Sequence, residues 1–128
     1  MDCTCVDTGV DEWCTMLSDK ILLSRKDHKC NECRRKINKG EKYKREVAIF
    51  DGDISTYKTC LDCVSLRDTF FCDGFFFEIL WEQFEEHVQE CGGEIKESAI
   101  ANLTLSCRDK VCDIIQEYWD YEEEPWSN

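Results

Sequence analysis

Two short cysteine pairs constrain this chain more than anything else in it. Cys30-Asn31-Glu32-Cys33 is followed, after 26 residues, by Cys60-Leu61-Asp62-Cys63. A two-residue spacer lets one tight turn aim both thiolates at a single ion. Two such turns complete a tetrahedron around Zn²⁺, which has no d-electron preference of its own. Four thiolates leave no open coordination position, so an ion held this way is structural and not catalytic. The competing reading is two pairs of unrelated or disulfide-bonded cysteines. The chain has 11 cysteines, an odd number, and opens on the polar, acidic stretch Met1-Asp2-Cys3-Thr4-Cys5, which does not read as a secretory signal. A reducing, cytoplasmic setting and metal binding are therefore expected over a disulfide scaffold. No apolar run is long enough to span a bilayer, so no membrane partner is expected.

The residues around the pairs set the expected fold. Ile21-Leu22-Leu23 reads as a short strand leading into the first knuckle, and residues 1–19 show no periodicity beyond a turn at Asp7-Thr8-Gly9. Tyr43–Phe50 is rich in Val, Ile and aromatic residues, Asp51-Gly52-Asp53 is a hairpin turn, and Ile54–Thr59 is the returning strand. Cys60 and Cys63 then open a helix running toward Phe70, where free N–H groups and the positive end of the dipole favour thiolates. Knuckle, hairpin and helix in that order describe a treble-clef zinc finger; a zinc ribbon, with both knuckles at hairpin ends, is the alternative. Beyond it, Phe77, Leu80, Trp81, Phe84, Val88 and Cys91 keep helical spacing until Gly92-Gly93. A last helix is expected from the capping box Ser106-Cys107-Arg108-Asp109, with Val111, Ile114, Ile115, Tyr118 and Trp119 as its apolar stripe. The fold class is thus α+β: a small treble-clef-like four-cysteine module extended by two amphipathic acidic helices. Residues 1–128 are expected to form one domain, with a basic zinc module at 20–70, an acidic helical extension at 75–121 and flanking segments at 1–19 and 122–128. The tail after residue 121 is expected to be frayed.

The remaining cysteines offer a second set of ligands. Cys3 and Cys5 form a C-x-C pair, Cys72 follows the first helix, and His87 and Cys91 share a helical face at i, i+4. Cys3, Cys5, Cys72 and Cys91, with His87 or Cys14 as substitutes, are the candidates for a second Zn²⁺. Buried cysteines that behave as small hydrophobes are the alternative. Cys107 is expected near a helix cap and Cys112 on the apolar face. His28, two residues before Cys30, is read as a basic-loop residue.

Charge is distributed unevenly. Net charge is −12, yet residues 20–59 hold 12 Lys/Arg against 6 Asp/Glu, and the rest of the chain 4 against 22, balances of +6 and −18. A basic module inside an acidic protein admits an anion for one part or a basic surface for the other, unless the two neutralise each other in the fold. Lys29, Arg34, Arg35, Lys36 and Lys39 are the candidate nucleic-acid contacts, and Tyr43 and Phe50 the candidate stacking platforms. Strand alternation places Lys42, Lys44 and Glu46 on one face and Tyr43, Arg45 and Val47 on the other. Enzyme motifs are lacking: there is no Walker A loop, G-x-G-x-x-G, H-E-x-x-H, or H-x-E with P-C-x-x-C. The hairpin Glu41–Thr59 carries no histidine, which argues against a nuclease of the kind built on treble clefs.

The strings His28-Lys29-Cys30-Asn31-Glu32-Cys33, Gly40-Glu41-x-Tyr43, Asp51-Gly52 and Tyr57-Lys58-Thr59-Cys60-x-x-Cys63 resemble small uncharacterised zinc-finger-like proteins of bacteriophages and prophages. The N-terminal C-x-C and Phe77-x-x-x-Trp81-Glu82 extend that resemblance over roughly residues 3–119. It implies a zinc-binding accessory protein in the cytoplasm of an infected or lysogenic bacterium. Its expected action is non-enzymatic, through contact with a host or phage protein. A host nucleic-acid-handling or defence enzyme with a basic groove is one such target. A nucleic-acid-binding zinc finger is the alternative, and a metal-dependent nuclease the remote one.

Overall fold

The computed structural model describes residues 6, 15–71 and 75–123, with side chains as far as residue 120. Its elements are β1 (Thr15–Leu23), β2 (His28–Lys29), β3 (Lys36–Ile37), β4 (Lys42–Phe50), β5 (Asp53–Cys60), α1 (Leu61–Phe70), α2 (Leu80–Glu90), α3 (Glu97–Ile100) and α4 (Leu105–Glu123). Mixed sheet and helix with a compact four-cysteine cluster makes this an α+β chain.

Strands β1, β4 and β5 form an antiparallel sheet in the order β1-β4-β5, and β2 pairs with β3 in a small separate ribbon. The long β4–β5 hairpin turns at Asp51 and Gly52, with φ of 51° and 83°. Two consecutive positive φ values give the primed turn whose twist matches the flanking strands, and they explain an Asp-Gly sequence at this place. β1 starts at Thr15, six residues before the apolar run that announced it. Its first half has no apolar alternation because it lies at the sheet edge, and a bulge between Met16 and Ser18 resets its register.

α1 lies between the sheet and the other helices, touching β4 and β5 on one side and α4 on the other. Its buried residues, Cys63, Val64, Leu66, Arg67 and Phe70, occupy more than one face, as this central place requires. From α2, Leu80, Trp81, Phe84 and Val88 enter the same core, joined by Leu103, Cys107 and Val111.

α2 begins at Leu80, not at Phe77 as the periodicity suggested. Glu78 takes a φ of 74°, which a helix does not allow, and the Phe77 ring stacks on Tyr57 of β5 at 3.8 Å between centroids. α4 begins at Leu105 and is capped by Thr104, not by a Ser106–Asp109 box. Thr104 Oγ1 accepts from Cys107 N (3.3 Å) and donates to Asp62 Oδ1 of α1 (2.6 Å), so a tertiary bond selects the cap. Cys112 is exposed, not on the apolar face, because the inward stripe runs through Cys107 and Val111 and the next residue is turned about 100° away from it. α3 carries no signal in the sequence. α4 also runs to Glu123, two residues into the segment expected to fray; residues 124–128 and the Asp7-Thr8-Gly9 turn lie outside the described residues.

α2 ends in Gly92 and Gly93, both at positive φ, with Gly93 N donating to Val88 O at 2.8 Å. A Cβ on Gly93 would lie 2.6 Å from Tyr118 Cδ1 of α4, whereas one on Gly92 would meet nothing within 4 Å. Gly92→Ala should therefore cost only the left-handed backbone penalty, roughly 1–2 kcal/mol. Gly93→Ala should add an overpacking cost of about 1–3 kcal/mol. Urea unfolding of the two variants side by side checks this; equal losses would show that α4 does not pack against this turn.

Candidate metal centre

The knuckle is built by local geometry. Cys30 N donates to Arg35 O (2.9 Å) and Arg34 N to Cys30 O (3.0 Å), closing a tight loop in which Arg34 takes a φ of 67°. The second pair sits where strand becomes helix: Cys60 is the extended N-cap of α1 and Cys63 lies in its first turn. The β4–β5 hairpin returns the chain between the pairs, which brings 26 residues of separation down to contact.

Sγ of Cys30, Cys33, Cys60 and Cys63 all lie within 4.8 Å of one another, and among the described residues they form the one cluster of this kind. Cys30 and Cys63 are 3.9 Å apart, and Cys33 and Cys60 3.7 Å. Four sulfurs about 2.3 Å from a tetrahedral ion are spaced about 3.8 Å along each edge. A disulfide would need about 2.05 Å. Spacing and donor type therefore fit a four-thiolate metal site, and both fit zinc. Cys30 Sγ accepts from Glu32 N and Cys60 N, each at 3.4 Å, and Cys63 Sγ accepts from Trp81 Nε1 at 3.2 Å.

The thiols perturb one another strongly. Contacts with Cys33, Cys60 and Cys63 pull Cys30 far below the ordinary thiol range. Contacts with Cys30 and Cys33 push Cys60 up, and contacts with Cys30, Cys33 and Cys60 push Cys63 up. Cys33 is raised by Cys30 but lowered further by Cys60 and Cys63, to about 7. Such a cluster ionises first at one sulfur and then resists further ionisation. A divalent cation at its centre removes that resistance, which is why metal binding at thiolates releases protons.

Both spacer residues of the first knuckle act at a distance. Asn31 pairs with Lys58 of β5 twice, Asn31 N to Lys58 O and Lys58 N to Asn31 Oδ1, each at 2.8 Å. Glu32 is buried and accepts from Glu78 N (2.8 Å) and Leu80 N (3.1 Å), so it caps α2 from another element. Burial pushes the Glu32 carboxyl up, against the pull of those two N–H groups and of Arg67. Arg67 of α1 sits between Glu32 (3.8 Å) and Glu46 of β4 (2.7 Å), 4.0 Å over the ring of Phe75. A buried glutamate has no periodic signature, so Glu32, Glu46 and Arg67 escaped the sequence reading. A glutamate between two ligating cysteines was the only available hint.

The second expected set is only partly in view. His87 and Cys91 do meet, with Sγ 3.8 Å from Nε2, but Cys91 is engaged in a disulfide and so offers no free thiolate to an ion. Cys3, Cys5, Cys14 and Cys72 lie outside the described residues. His28 is not a ligand: its ring lies 5.4 Å from that of Tyr43. Tyr43 itself is buried and offers no stacking platform, while Phe50 is exposed. Among the basic candidates, Arg35 pairs with Glu41 and, at 3.3 Å, with Asp62; Lys36 pairs with Asp27 at 3.1 Å; Lys29, Arg34 and Lys39 are exposed. No family model matches the chain, and no curated protein or solved structure is significantly similar to it.

Three outcomes test this centre. Glu32→Gln leaves one α2 N–H without an acceptor and removes a charge from Arg67, and should cost about 1–3 kcal/mol of stability by urea titration. Trp81→Phe keeps the ring but removes the bond to Cys63, and should hasten metal loss to a chelator. In the metal-loaded protein, iodoacetamide should label exposed Cys112 and spare Cys107, whose thiol burial pushes up to about 11. Mass mapping with Cys107 modified first would overturn its placement.

Proposed function

We propose that this is a non-enzymatic zinc-binding protein whose treble-clef-like module carries an acidic helical surface for docking a basic protein. The observation that carries this reading is the outward face of the two long helices. On α2, Glu82, Glu86 and Glu90 are exposed at i, i+4 and i+8. On α4, Asp109, Asp113 and Glu117 repeat the spacing, and Asp120 is exposed one turn on. None of these seven carboxylates joins an ion pair among the described residues. Like charges at i, i+4 destabilise a helix, so folding does not explain the pattern, whereas a cationic partner surface does.

The order of the ligands supports the treble-clef assignment, because Cys60 and Cys63 stand at the start of α1 and not at a hairpin end. With four thiolates in place, Zn²⁺ would have its coordination filled, consistent with a structural role. The resemblance to bacteriophage and prophage proteins makes a host enzyme with a basic nucleic-acid groove the partner that fits best. The alternative, direct contact with nucleic acid through the basic 25–45 segment, is weakened by the pairing of Arg35 and Lys36.

Metal analysis and capture test the reading together. Purified protein should hold at least one zinc per chain, and Cys60→Ser should lose that ion together with the hairpin fold, since metal binding is worth roughly 10–16 kcal/mol in small zinc modules. Tagged protein should retain one basic protein from bacterial lysate, and Glu82→Lys with Glu117→Lys should release it while zinc content and circular dichroism stay unchanged. Protein free of metal, or capture of nucleic acid in place of a protein, would overturn the proposal.

A further inference from the structure

The two faces of the β1-β4-β5 sheet treat charge differently. Register places Asp19 opposite Glu46 on the face covered by α1, a like-charge pair. It is neutralised within the fold: Lys44 lies 3.2 Å from Asp19, and Arg67 lies 2.7 Å from Glu46. On the other face, register places Lys20 opposite Arg45, and Arg45 opposite Lys58. Three cations stand in one row, about 5 Å from strand to strand. No carboxylate points to that face from any of the three strands, because Asp19, Glu46 and Asp53 all fall on the opposite one. No ion pair among the described residues engages Lys20, Arg45 or Lys58. Two rows along the same face, beyond Val47 and Thr56, Ile54 is 66% exposed.

A row of like charges directly opposite one another destabilises a sheet unless an anion covers it. Nucleic acid fits poorly, since the only aromatic ring this face contributes, that of Tyr43, is buried and leaves no base to stack. A helix bearing carboxylates at i, i+4 and i+8 fits better, because its charges repeat about every 6 Å. The chain has such a helix. On α4, Leu105, 73% exposed, is followed on the same face by Asp109, Asp113 and Glu117. α4 packs on α1, and α1 covers the opposite face of the sheet, so α1 and the sheet stand between stripe and row. No ion pair among the described residues joins the two within one molecule.

We propose that the Lys20–Arg45–Lys58 row is a docking site for the acidic α4 stripe of a second copy of this chain, a head-to-tail contact. Because the two surfaces differ, the contact is heterologous and extends into chains of molecules unless it closes a ring. It rests on the sheet register and on the α4 stripe, which it shares with the function proposed above, so a second copy and a basic partner would compete for that stripe. A net charge of −12 opposes close approach, but at about 0.1 M salt that repulsion is screened beyond about 10 Å, while the local pairs remain.

The test is a complementation between two neutralised variants, followed by light scattering on full-length, metal-loaded protein. At about 0.1 M salt wild type should exceed the mass of one chain, and at about 1 M salt, where screening reaches about 3 Å, it should be monomeric. Arg45→Gln with Lys58→Gln, and separately Asp113→Asn with Glu117→Gln, should each be monomeric. Mixed in equal amounts, they should form a dimer and nothing larger, because each supplies the one surface the other lacks. Glu82→Gln with Glu86→Gln on α2 should associate like wild type. Monomeric wild type at about 0.1 M salt would overturn the proposal, as would a mixture that fails to pair or loss of association in the α2 variant. Salt-sensitive binding of a DNA oligonucleotide that the row variant abolishes, by anisotropy on monomeric protein, would assign the row to nucleic acid instead.

Discussion

Four thiols held within 4.8 Å of one another set the terms for the rest of the molecule. Such a cluster is poorly stable by itself, since each ionised sulfur discourages the next. A metal ion at its centre would turn that conflict into a cross-link worth far more than any single packing contact. It would tie a loop to the start of a helix across the β4–β5 hairpin. What surrounds the sulfurs is arranged for negative charge: two backbone N–H groups on Cys30 and the Trp81 indole on Cys63.

The knuckle also organises distant parts through the two residues it uses as a spacer. Asn31 extends the edge of β5 by imitating a strand neighbour, and Glu32 supplies the acceptor that α2 lacks at its own N-terminus. Metal centre, sheet and helical layer are therefore coupled through four consecutive residues. Arg67 completes the arrangement by neutralising Glu32 and Glu46 between the layers. Removing Arg67 from this buried set costs about 3–5 kcal/mol, because two carboxylates stay behind without a cation, whereas neutralising Glu32 alone leaves Arg67 paired with Glu46. The Arg35–Glu41–Asp62–Thr104 chain repeats the device nearer the surface, linking knuckle, α1 and the cap of α4.

Charge that the fold does not use internally is displayed outward and sorted by sign. The acidic stripes lie on the helical side, and the acid-free cation row lies on the sheet face away from α1, with Lys20 exposed and Arg45 and Lys58 half-buried. The separation follows from the continuous register of Ser18–Leu23 against β4, beyond the bulge at Met16/Ser18, since a shift of one position would exchange the faces of Asp19 and Lys20. A molecule of this kind is suited to recognition through electrostatic complementarity, which governs encounter and specificity more than raw affinity.

The sequence by itself determined most local elements and which four cysteines come together. Paired C-x-x-C spacing is a chemical requirement, Asp51-Gly52 is a backbone requirement, and the Leu80–Val88 stripe is a 3.6-residue period; each is written in neighbouring residues. Only the tertiary structure decided what depends on residues far apart in the chain. Glu32 halts the backward extension of α2 to Phe77, Asp62 fixes the cap of α4 at Thr104 in place of Ser106, and Tyr43 disappears beneath His28. The partner of each basic residue was equally hidden, since strand alternation tells which face Arg45 takes but not that Lys20 and Lys58 stand beside it. Register across three strands is a property of the assembled sheet, and a buried charge becomes legible only when the group that neutralises it is seen.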